Sequence, residues 1–217
     1  MVEEGPRFGR DGDILWWIAQ PAEPIQRASL ALPVGDRRVV IEPVDCPGLD
    51  DQLAEAGGLD AVVVLMDRHT RDANTIADRH GVSVLVPSDA DRITSKIGRP
   101  VDQLTGLPEG VELITVSSGR VQEEYALWWE SDGTLVVPES LGTTAYFTTG
   151  GERVGIHPLA RLRPPRRQLG GLESQRLFVG HGAPITDLKP GEIDESLANA
   201  RRRLPRAWIA GIRAWLP

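Results

Sequence analysis

Residues 60–88 read DAVVVLMDRHTRDANTIADRHGVSVLVPS, and this stretch decides how the rest of the chain is arranged. Asp60 to Met66 is a short, unbroken apolar run rich in β-branched residues, the pattern of a strand buried on both faces. It ends in a polar cluster, Asp67-Arg68-His69-Thr70-Arg71-Asp72. Ala73 to His80 follows as a helix, with Ala73, Ile76 and Ala77 at helical spacing and Gly81 as its stop. Val82 to Val86 is a second apolar strand, closed by Pro87. Ionisable side chains gathered where a buried strand hands the chain to a helix mark a usual place for a site.

Outward from this unit, Leu49 to Ala56 reads as a short helix ended by Gly57-Gly58. Before it stand strands at Ile14 to Ala19, Ala28 to Leu32 and Arg38 to Glu42, the last two joined by a turn at Gly35-Asp36. Residues 1–12 read as a flexible N-terminus, which leaves residues 13–217 as a single domain. Downstream, Ala90 to Lys96 is a helix and Val111 to Val116 a strand. Glu124 to Trp129 and Thr134 to Val137 pair around Ser131-Asp132-Gly133. Thr143 to Leu172 is a Gly-, Pro- and Arg-rich excursion with one helical turn. Arg176 to Val179 is the last strand, running into Gly180-His181-Gly182. Glu192 to Leu204 is a helix ended by Pro205, and Trp208 to Trp215 a further helical stretch.

Most of these strands are apolar throughout instead of alternating, so both faces of each sheet need cover. Two sheets packed together, with helices outside each, meet that need. The expected fold class is α+β, an αββα sandwich of two mixed β-sheets packed face to face and flanked by helices.

Composition narrows the function. Lys and Arg number 24 against 31 Asp and Glu, a net charge of −7, which disfavours nucleic acid or an anionic membrane as partner. Cys46 is the one cysteine, so neither an internal disulfide nor a thiolate cluster can form. The first residues are charged and unlike a signal peptide, and no apolar run spans a bilayer, so a cytoplasmic protein is expected.

The order of elements resembles the metallo-β-lactamase fold over nearly the whole chain. That family carries H-x-H-x-D-H after a buried strand, where this chain has Arg68-His69-Thr70-Arg71-Asp72-Ala73. Asp72 keeps its place, Arg68, Thr70 and Ala73 stand on the histidines, and His69 falls on an unconstrained position. Arg120 takes a further histidine's place in the turn Gly119-Arg120-Val121-Gln122-Glu123, and Glu139 stands for the bridging aspartate. Phe178-Val179-Gly180-His181-Gly182-Ala183-Pro184 is similar to the family's G-H-G-x-P loop, with His181 on its last histidine ligand.

The resemblance therefore implies a lapsed dinuclear site. A guanidinium cannot coordinate a cation, so Arg68 and Arg120 are expected to pair with Asp72 and Glu139 in place of metal. The expected pocket holds Arg68, His69, Thr70, Asp72, Arg120, Glu139 and His181, has no metal cofactor and binds a small anionic molecule without hydrolysis. The alternative is a metal-dependent hydrolase in which Asp72, Glu139 and His181 hold one zinc, iron or manganese ion, and a guanidinium of Arg68 or Arg120 against the carboxylate of Asp72 or Glu139 would sink it. His181 is open to either a ligand or a loop-fixing role. His69 is expected exposed, His80 ends a helix, and His157 has no evident partner. Most tryptophans are expected in the core. The arginines at 161, 163, 166 and 167 and at 201–203 are expected on solvated faces. The sequence sets no oligomeric state and names no catalytic residue.

Overall fold

Short apolar runs separated by tight turns build the first sheet. In the computed structural model, which describes residues 4–119 and 122–214, β1 (Arg7–Asp11), β2 (Ile14–Ile18), β3 (Ala28–Val34) and β4 (Arg37–Ile41) form an antiparallel meander. α1 (Leu49–Glu55), α2 (Ala73–His80) and α3 (Asp91–Ile97) then connect β4 to β5 (Ala61–Val63), β6 (Ser83–Val86) and β7 (Asp102–Gln103), which add in parallel. A second sheet is ordered β13-β10-β9-β8, from β8 (Val111–Ser118), β9 (Glu123–Trp129), β10 (Thr134–Val137) and β13 (Arg176–Val179). β11 (Leu141–Gly142) and β12 (Gly155–Ile156) pair apart from both, α4 (Arg166–Leu169) follows them, and α5 (Glu192–Ala214) closes the chain.

The period of two sorts each inner strand between two cores. Tyr125 and Leu127 of β9, Val136 of β10 and Phe178 of β13 face the first sheet. Ala126 and Trp128, Leu135 and Val137, and Leu177 and Val179 face the opposite way, onto Leu169 of α4 and Ile193, Leu197 and Ala200 of α5. The αββα sandwich of two mixed sheets is thus the observed architecture.

Three local expectations are corrected. Arg7–Asp11 is not loose: it pairs with β2, with Gly9 opposite Trp16 under an indole that would lie 2.2 Å from any added Cβ. The run Asp60 to Met66 is shared between sheets. Ala61–Val63 lies between β4 and β6, after which the Tyr125 amide donates to the Leu65 carbonyl at 2.8 Å and Met66 bridges Glu124. Pro205 does not end the last helix. It removes one N–H, but Ile193, Leu197, Ala200 and Ala207 keep one buried stripe across it, and that packing holds the helix. The second helical stretch from Trp208 is therefore the same helix, Trp208 is 49 % exposed instead of core, and Trp215 lies outside the described residues.

The excursion after β10 is folded around a buried ion pair. Glu152 and Arg161 have fully buried side chains 2.6 Å apart. Arg161 also donates to the Phe147 and Ile156 carbonyls, and Arg203 of α5 reaches Glu152 at 3.0 Å. Arg161 is thus core, not part of a solvated face. Glu152→Ala would strand that guanidinium without a counter-charge and is expected to cost about 3–5 kcal/mol of stability, read by denaturant unfolding.

Candidate metal centre

Parallel strands deliver the site. Glu42 follows β4, His69 follows β5, and Glu139 and His181 each stand two residues beyond β10 and β13. Gly180 and Gly182 make room for the histidine between them. A Cβ at Gly180 would lie 2.3 Å from the Pro138 carbonyl and 3.1 Å from the His69 ring, and Gly182 has φ +101°.

His69, Glu139 and His181 are all buried, and their tips converge. His69 Nε2 and His181 Nε2 lie 3.1 and 2.9 Å from Glu139 Oε2, and 3.1 Å from each other. The opposite ring nitrogens are taken. His181 Nδ1 donates to the Ile25 carbonyl at 3.0 Å. His69 Nδ1 lies 2.8 Å from Glu42 Oε2, and neither atom has another partner, so this is a close polar contact rather than an ideally aligned hydrogen bond. A proton on each Nδ1 leaves a lone pair on each Nε2. Two lone pairs and a carboxylate oxygen then face one small volume, with the Arg71 guanidinium 3.5 Å from His69 Nε2 as the nearest cation among the described residues. Metal-binding histidines commonly hand their other N–H to a carboxylate or carbonyl in this way. Tetrahedral bonds of about 2.0–2.1 Å put donor atoms roughly 3.3 Å apart, close to the spacing seen here. The donor set therefore fits one ion.

Burial would raise the Glu139 carboxyl, but its contacts with His181 and His69 outweigh burial and hold the group well below the usual carboxylate range, so it is an anion at neutral pH. A hydrogen bond donated from either Nε2 belongs to the other tautomer, in which that nitrogen has no lone pair to offer. Burial pushes His181 down to about 4, against the pull of Glu139, so its imidazole is neutral near pH 7.

A supporting shell surrounds these groups. Glu124, whose carboxyl burial raises, accepts the Glu139 and Ser140 amides at 2.8 and 2.7 Å and so fixes the backbone carrying the carboxylate. Arg71 is enclosed at its guanidinium, though the residue keeps some exposed surface. It donates to the carbonyls of Ala28, Glu42 and Gly180 and lies 3.5 Å from His69 Nε2. Burial pushes it down to about 10, still a cation at neutral pH. Gln26, Glu42 and Arg71 are the non-glycine residues with positive φ among the described residues, at 40°, 55° and 38°, and all three abut the site. Strain of this kind is kept where the surroundings demand it.

The mouth is cationic. Arg68 Nη2 donates to Glu139 Oε1 at 2.9 Å and to Gln122 at 3.1 Å, with over a third of its side chain exposed. The expected guanidinium–carboxylate pairing is thus present, but it takes one oxygen and leaves Oε2 to the histidines. His157 Nε2 stands 3.4 Å from Glu139 Oε1, its ring lies 5.8 Å from Tyr146, and Phe147 stacks on His181 at 5.2 Å.

The remaining sequence-derived residues lie as follows. Asp72 turns away and accepts the Asp45 amide at 2.8 Å, so it does not join Glu139 and His181. Thr70 opens the turn into α2, its carbonyl accepting from the Ala73 amide. Arg120 lies outside the described residues. His69, expected exposed, is 5 % exposed and central, because the positive φ of Arg71 and the Glu42 contact draw the loop inward. His80 ends α2 and pairs with Asp50 at 2.9 Å. Glu42, Arg71 and Glu124 were missed. Only tertiary contacts single them out, although a glutamate at the end of an apolar strand is a usable hint.

At the level of sequence, no family model and no curated protein matches the chain. Its fold does match solved structures. A metallo-β-lactamase from Hirschia baltica is 13 % identical with a TM-score of 0.57, over 91 % of this chain and 98 % of that one. The FIM-1 metallo-β-lactamase from Pseudomonas aeruginosa, in its mono-zinc form, is 10 % identical with a TM-score of 0.57, over 100 % and 99 %. A diflavin flavoprotein fragment from a Nostoc species is 10 % identical with a TM-score of 0.61, over 94 % and 97 %. The chain has the metallo-β-lactamase fold. Within it stands a His-Glu-His group with the geometry of a metal site.

Proposed function

We propose that the chain is a hydrolase that works with one divalent ion, held by His69, Glu139 and His181, on a small anionic substrate. The carrying observation is that both imidazoles have Nδ1 engaged, by Glu42 and by the Ile25 carbonyl, so both Nε2 lone pairs meet at Glu139. Two imidazoles and a carboxylate suit zinc, iron or manganese. Such an ion would polarise a carbonyl or phosphoryl oxygen and lower the pKa of water beside it. The chain's own groups supply binding. Arg68 has further donors with no partner among the described residues, which suit a substrate carboxylate or phosphate, and Tyr146 and His157, rings 5.8 Å apart, stand within reach of its charge.

A second reading rests on the Arg68–Glu139 pair and the enclosed Arg71. Here a protonated His69 bridges Glu42 and Glu139, two arginines balance the carboxylates, and the pocket binds an anion without turnover. Elemental analysis of protein purified without a chelating tag separates the two. About one ion per chain, with ester, lactone or phosphoester hydrolysis that a chelator stops, is expected. Metal-free protein after growth with zinc, iron and manganese, silent on all three substrate classes, establishes the second reading instead.

A further inference from the structure

A net charge of −7 is an average, and the arginines are not spread evenly. Residues 153–172 and 196–209 contain no Asp or Glu, and they pack together: Arg201 donates to the Leu162 carbonyl and Arg166 to those of Leu197 and Ala198. On the outside of this unit Arg163, Arg167, Arg202 and Arg206 are exposed, and their guanidiniums have no hydrogen-bond or ion-pair partner among the described residues. The same two stretches hold all four large hydrophobic side chains exposed among the described residues, Leu159, Leu162, Trp208 and Ile209, at 63, 50, 49 and 53 %. On α5 the buried stripe runs through Ile193, Leu197, Ala200 and Ala207, so Arg202, Arg206 and Ile209 point outward and Trp208 lies at the edge beside Arg201 and Leu162.

We propose that this face docks on an anionic phospholipid bilayer. Unpaired guanidiniums interleaved with aliphatic and indole tips are the composition of an interfacial helix, in which cations meet headgroups and apolar tips enter the acyl boundary. The acidic remainder of the protein does not cancel this attraction, because charges beyond a Debye length of about 8 Å are screened at physiological salt. Leu159 and Leu162 stand at the short turn Ala160–Leu162 and Trp208 and Ile209 on α5, so the tips are spread over two elements instead of lining the single groove a peptide helix would need. Single-stranded nucleic acid would need stacking platforms, and three of the four tips are aliphatic.

The test is cosedimentation of the full 217-residue chain with vesicles of phosphatidylcholine alone, and of phosphatidylcholine and phosphatidylglycerol mixed two to one. Binding to the mixed vesicles only is expected, falling steeply as salt rises to roughly 0.5 M. Arg202→Glu with Arg206→Glu is expected to weaken it roughly tenfold or more, and Arg163→Glu with Arg167→Glu likewise. Trp208→Ser with Ile209→Ser is expected to weaken it even at low salt. All six positions are exposed, so circular dichroism and metal content should be unchanged. Binding to neither vesicle, equal binding to both, or tighter binding of an oligonucleotide would each overturn the proposal. So would a dimer in solution that shields Trp208.

Discussion

Replacing His181 with Ala is expected to leave the chain folded while cutting affinity for the ion by roughly a hundredfold or more. Removing an outer partner of a metal ligand already costs about 10–100-fold, so loss of a ligand sits at or beyond that range. The loop should survive, because its backbone bonds do not involve the imidazole. Ala28 donates to the Gly180 carbonyl, Gly182 donates to Gln26, and Thr143 donates to the His181 carbonyl. His69→Ala should act alike, while Asp72→Ala should change metal content little, since Asp72 serves the Asp45 amide. Competition with a chromophoric chelator measures all three. Metal lost with Asp72→Ala but kept with His69→Ala would restore the ligand set of Asp72, Glu139 and His181 and sink the one proposed here.

Glu42→Gln is expected to remove nearly as much metal affinity without touching a ligand. Glu42 Oε1 accepts the Leu65 amide at 2.6 Å, so the amide oxygen of a glutamine must stay on that side. Its NH2 group then faces His69 Nδ1, where a carboxylate now stands at 2.8 Å. A donor at that position forces the imidazole proton onto Nε2, which can no longer coordinate. A loss of about 10–100-fold follows, with the fold preserved by near-identical shape. NMR of the ring nitrogens would show the tautomer change directly. Unchanged affinity and an unchanged tautomer would mean that Glu42 does not set the orientation of His69.

Much of the fold was legible because its signals are local. Continuous apolar runs demanded sheets covered on both faces, and the helix Ala73–His80 and the strands Thr134–Val137 and Arg176–Val179 fall where periodicity put them. β1 was not legible, because RFGRD owes its pairing to Trp16 across the strand. The long α5 was hidden by Pro205, whose local cost is overridden by packing of Ala207. In the site, Glu139 and His181 were named through the likeness to the family's motifs, whereas His69 was placed in the pocket but not among the ligands, because motif register assigned its neighbours instead.

From the sequence came the layered sandwich and the edge where polar groups collect, since alternation, glycine turns and strand ends act over a few residues, while Glu139 and His181 came from the likeness to the family's motifs. The place of His69 beside them, the groups facing each Nδ1 and the arginines around Glu139 were decided only in three dimensions. A positive φ at Arg71 turns the loop, Glu42 arrives from a strand 27 residues away in the chain, and Arg68 reaches across to Glu139. Those are orientations and distances between segments remote in sequence, which no local pattern encodes.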